Sequence, residues 1–136
     1  MRHVLLLVLA LASIVANSRA ELPPQVYERD QARSPEVLTI KVESARVVKH
    51  KEAWGIRTEI TARARVQEVK RSASHLHVGD LIRIEYSHSR HTQPMTGPSE
   101  PDILEQGRTY PAFLRRSAKT GAYALAARGY SFRSLR

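Results

Sequence analysis

The sequence predicts an all-β domain: a small, five- to six-stranded antiparallel OB-like barrel with one long loop. Three observations predict it. Apolar residues recur at every second position along several stretches, which is the period of a pleated strand with one dry face. Glycine- and proline-bearing turn signals separate those stretches. Short alternating segments joined by turns are the pattern of a sandwich or barrel, and small alanines in the longest one favour the curl a barrel needs.

The elements follow in chain order. Arg2 and His3 precede an apolar run from Val4 to Ala16, broken by Ser13, and small residues stand at Ser18 and Ala20. Residues 1–20 therefore predict a secretory signal peptide cleaved after Ala20. The run falls short of the ~20 apolar residues that span a bilayer. Residues 21–36, with Pro23, Pro24 and Pro35 among charges, predict an extended leader, and residues 37–136 a single β-barrel domain. In Val37–Lys49, Leu38, Ile40 and Val42 share one face and Thr39, Lys41 and Glu43 the other. Val47 and Val48 break the alternation, which predicts a bulge near Ala45.

Trp54 to Gln67 is the clearest strand. Trp54, Ile56, Thr58, Ile60, Ala62, Ala64 and Val66 fall on one face, with Arg57, Arg63 and Arg65 among those on the other. A helical period would scatter the same apolar residues around its axis. Val78-Gly79-Asp80 signals a turn, and Asp80–Tyr86 alternates again, with Arg83 outward, so the two strands flanking the turn are expected to pair antiparallel. Ser87–Gly107 carries Pro94, Pro98 and Pro101, reads as the long loop, and predicts one helical turn over Asp102–Gln106 stopped by Gly107. Tyr110–Arg115 predicts a strand, Lys119-Thr120-Gly121 a hairpin turn and Ala122–Ala127 the return, with a short final pairing at Tyr130–Phe132.

Composition narrows the function classes. The chain has no cysteine. A small exported domain without disulfides must be held by packing and hydrogen bonds, and the lack of them points to a periplasmic or secreted bacterial setting. The formal charge is +9, and it stays strongly positive without Arg2 and Arg19, so anionic surfaces attract the domain. Arg57, Arg63, Arg65 and Arg83, on the outer faces of neighbouring strands, are the candidate anion-binding residues. Most aromatics belong to the expected core, which leaves few for base stacking and disfavours nucleic acid. His75-x-His77 and His88-x-x-His91 supply too few ligands in one place for a structural zinc site, so neither metal nor cofactor is expected. Ser87-His88-Ser89 lacks the separated partners of a triad, and no Gly-x-Ser-x-Gly elbow occurs. An enzyme, of a reaction these residues do not name, is only the third reading, behind a noncatalytic domain and a polyanion-binding module.

The order of segments carries a family likeness. Val78-Gly79-Asp80-x-Ile82-x-Ile84, a loop, and Leu104-x-x-Gly107-x-x-Tyr110-x-x-Phe113-Leu114 together resemble the netrin-like module of the tissue inhibitors of metalloproteinases. That resemblance spans roughly Val37 to Phe132 and implies an OB-type barrel with a binding role. The inhibitors act through an N-terminal cysteine and are cross-linked by disulfides, and this chain has neither, so their inhibitory mechanism does not carry over. The expectation is a noncatalytic exported interaction or structural domain, its partner an unknown protein or an anionic surface. The alternative is a polyanion-binding OB-type module for acidic glycan, lipid surface or nucleic acid. The long loop and the arginine face form the expected contact surface.

Overall fold

The computed structural model describes residues 21–135; the expected signal segment, residues 1–20, lies outside them. Five strands form one closed barrel: β1 (Glu36–Glu52), β2 (Gly55–Ser72), β3 (Leu81–His91), β4 (Thr109–Arg116) and β5 (Tyr123–Leu125). Their order around the barrel is β1-β2-β3-β5-β4, with β4 returning to β1. This is the small OB-like barrel that the alternation predicts. Four of the pairings are antiparallel; β3 meets β5 through one parallel bridge, Ile84 to Tyr123.

The dry face of each strand makes the core. Leu38, Ile40 and Val42 of β1 meet Ala62, Ala64 and Val66 of β2 and Ile82 and Ile84 of β3, all buried. Ala62 and Ala64 stand opposite Ile84 and Ile82 of β3, and their small side chains share the buried cluster with Leu114 and Phe132. β1 is bulged between Val42 and Ser44, leaving Glu43 unpaired, close to the bend expected near Ala45. Trp54 is not in the core. It occupies the turn between β1 and β2, 39% exposed, with its ring 4.7 Å from that of His91.

Residues 21–36 depart from the extended leader that the prolines predict. Pro24–Ala32 is an α-helix, α1. Proline is compatible with the first helical turn, where its missing N–H would have no partner, so Pro24 starts the helix rather than breaking it. Tertiary contacts hold the helix. Tyr27 is buried, its ring 4.2 Å from that of Tyr130, and its hydroxyl accepts the Ser99 amide. The Arg71 guanidinium donates to the Gln31, Ala32 and Ser34 carbonyls.

The loop is shorter than expected at its N-terminal end. Ser87–His91 continue β3 and pair with Gly55–Glu59 of β2. No proline falls in that stretch, so nothing interrupts the ladder. Residues 92–108 then fold back over the end of the sheet. Asp102–Gln106 forms no helical turn, because this backbone is pinned from outside. The Tyr86 hydroxyl donates to the Asp102 carbonyl and accepts the Leu104 amide, and burial raises its pKa well above the usual phenol value. Gly107, at φ +84°, turns the chain back, and its amide bonds to the Val42 carbonyl. Tyr130–Phe132 adds no strand. Arg128–Tyr130 is one turn of 3-10 helix, although the Phe113 amide does bond to the Ser131 carbonyl. Gly129 packs so closely there that a Cβ would stand 1.9 Å from the Ser99 carbonyl oxygen.

Candidate functional site

The outer face of β1–β2–β3 carries the four arginines singled out in the sequence, and the register places them in two groups. Arg63 of β2 lies opposite Ser44 of β1 and Arg83 of β3. Arg65, one outward position along, lies opposite Lys41. Arg57 stands six residues from Arg63, a separation of ~20 Å along a strand. Arg63, Arg65 and Arg83 therefore come together with Lys41, and Arg57 does not join them.

Carboxylates occupy part of this face. Arg57 pairs with Glu52 and Glu59, and His50 also reaches Glu59 at 3.3 Å. Arg83 pairs with Glu85 at 3.0 Å. Arg65 binds the bulged Glu43 and donates to the Gly79 carbonyl at 2.7 Å. Among the described residues Arg63, Lys41 and Arg46 have no carboxylate partner. The Glu43 carboxyl is held below its usual value of 4.5, first by the Arg65 hydrogen bond and further by the charges of Arg65, Arg63 and Lys41, against the opposing effect of desolvation. One carboxylate thus serves three cations, while Lys41–Arg65 and Arg63–Arg83 are like-charged cross-strand neighbours. Such pairs repel, and an anion bound across them relieves that repulsion.

Among the described residues, surface cavities of about 420, 520 and 660 Å³ lie on the molecule. The largest lies beside the basic group, between Lys41, Glu43 and Arg65 and the Val78-Gly79 and Gln106-Gly107 turns. Both turns dock on the barrel backbone here: Gly79 bonds to the Val66 carbonyl and Gly107 to that of Val42. The second lies under the β3–β4 loop, where Arg133 pairs with Asp102, Arg108 pairs with Glu105, and the His88 ring bonds to the Pro101 carbonyl through Nδ1. The third lies between α1 and the barrel.

His75 and His77 sit in the β2–β3 turn, and His88 and His91 near the end of β3. Among the described residues no three histidine, aspartate or glutamate side chains are grouped to hold a metal ion, and no helix is long and apolar enough to cross a membrane. Lys41 and Glu43 were not among the residues singled out in the sequence. They join the site because β1 pairs with β2 in this register and bulges at Glu43; the lost alternation after Val42 was the available signal. No protein-family model, curated protein or solved structure matches the chain.

Proposed function

We propose that this chain is a noncatalytic exported domain that binds an anionic partner across the outer face of β1–β2–β3. Lys41, Arg63 and Arg83 are the contacts, and Arg65 is held in place by Glu43. The observation that carries the reading is the two like-charged cross-strand pairs, Lys41–Arg65 and Arg63–Arg83, in which Glu43 pairs with Arg65 and Glu85 with Arg83 while Lys41 and Arg63 have no carboxylate partner among the described residues. Guanidinium groups suit this role, since their planar forks match carboxylate, sulfate and phosphate oxygens. OB-type barrels use the faces of their second and third strands for oligomeric ligands, which fits the same surface. Export rests on residues 1–20. Kinship with the netrin-like module rests on the Val78-Gly79-Asp80 and Leu104-x-x-Gly107-x-x-Tyr110 stretches and remains part of the proposal.

Retention on immobilised heparin tests it. The domain spanning residues 21–136 is expected to elute above physiological salt, ~0.15 M. Arg63→Ala lowers the eluting salt more than Lys119→Ala, which removes the same charge from the β4–β5 turn. Elution below physiological salt, or equal effects of the two substitutions, overturns the proposal.

A further inference from the structure

The backbone of β1 offers a second binding feature, independent of the basic group on its outer face. β1 pairs with β4 over Glu36–Lys41 only, while its ladder with β2 runs on to Glu52. From Ser44 to Glu52 one edge of β1 therefore has no neighbouring strand, and its register with β2 is unbroken there. Glu52 and Gly55 flank the turn at Ala53–Trp54 and form the hydrogen-bonded pair that closes this hairpin. Counting back in twos, His50, Val48 and Arg46 bond to β2. Ala45, Val47, Lys49 and Lys51 then direct their N–H and C=O groups to the open side.

The corresponding edge of β3 is closed. The Ser89 amide donates to the Glu100 carboxylate, and the His88 ring and Tyr86 hydroxyl bond to the Pro101 and Asp102 carbonyls beside the strand. The fold thus covers one edge of the extended sheet and leaves the other open. Exposed edges template the pairing of a further strand.

We propose that the Ser44–Glu52 edge binds an extended acidic peptide segment of a partner protein by strand addition. Charge selects the occupant. Val47, Lys49 and Lys51 share one face of β1, and the two lysines have no ion pair among the described residues. Val47 is 42% exposed. An added strand carrying acidic side chains on alternate residues sets them against Lys49 and Lys51, with an apolar side chain against Val47. A second copy of this chain would bring another Arg46, Lys49 and Lys51 into the same short ladder, which adds like charge instead of cancelling it.

The probe is a short blocked peptide of alternating glutamate and valine, with a control carrying lysine for each glutamate. Trp54, the single tryptophan, stands at the tip of the hairpin and reports binding by fluorescence, and amide hydrogen exchange locates it. The glutamate peptide is expected to bind and to slow exchange at Ala45, Val47, Lys49 and Lys51; the lysine peptide is not. Val47→Pro deletes one outward donor while sparing the bonds to β2, and weakens binding about fivefold, the effect of one hydrogen bond. The double substitution K49E/K51E, which leaves the backbone intact, reverses the preference between the peptides. The proposal is overturned by equal binding of both peptides, by no binding at millimolar peptide, or by binding that a folded Val47→Pro protein retains in full. A concentration-dependent dimer lost in Val47→Pro overturns it in favour of self-pairing.

Discussion

Glu43 shows how one residue organises the basic face. The bulge leaves it without a backbone partner across the ladder, and its carboxylate turns to Arg65. Arg65 reaches on to the Gly79 carbonyl, so a single guanidinium links β1, β2 and the β2–β3 turn. The folded pKa of Glu43 lies below the ordinary carboxylate value. This interaction therefore contributes fully to stability above about pH 4.5 and fades as pH falls through the lower folded value. Glu59 follows the same sign, held down first by Arg57 and then by His50. Arg65→Ala is expected to move the Glu43 midpoint upward in a carboxyl-carbon NMR titration. An unchanged midpoint would mean that Arg65 is not its principal partner.

Among the elements, α1 depends most on its surroundings. It has no side-chain cap at its N-terminus, no acidic residue in its first turn and a single buried residue, Tyr27. So short a helix is marginal on its own in water. Its stability comes from the Tyr27–Tyr130 stack, the Arg71 contacts to its C-terminal carbonyls and Gln31 donating to the Tyr130 carbonyl at 2.9 Å. Tyr27→Ala is expected to cost about 3–5 kcal/mol in chemical unfolding, as other buried aromatic truncations do. Tyr27→Phe removes only the acceptor of the Ser99 amide and is expected to cost ~1 kcal/mol. Equal costs for the two would show that the ring packing contributes nothing.

For the molecule as a whole, closure is uneven. β1 and β2 share a ladder along nearly their full lengths, whereas β5 has three residues and meets β3 at one bridge. The β3–β5 seam is thus where the barrel opens most easily. Amides of Tyr123–Leu125 are expected to exchange faster under native conditions than those of Ile60–Ala64. Equal protection would place the closure on a par with the long ladders. Arg83 adjoins that seam through Ile84, whereas Lys41, Arg63, Arg65 and the β1 edge rest on the long β1–β2 ladder, so opening there leaves the β1 edge intact.

The sequence by itself determined the barrel. Oily residues at every second position in β1, β2 and β3 can be buried only by pleated strands with one dry face, and the turns at Gly79 and Gly121 lie between strands as those signals predict. It also put Arg57, Arg63, Arg65 and Arg83 on the outer side of that pleat. What it did not carry was partnership. Ser87–His91 has no alternation to read, since its pairing comes from β2 and its edge is covered by Glu100. The α1 residues have no apolar stripe, since one buried tyrosine and distant guanidinium contacts hold the helix. Register gathered Lys41 with Arg65 and Arg83 with Arg63, while six residues of strand set Arg57 apart. Alternation along a chain is a local property, fixed by backbone geometry. Which strand stops short, which edge stays bare and which cation lacks a carboxylate are set by contacts between residues far apart in sequence.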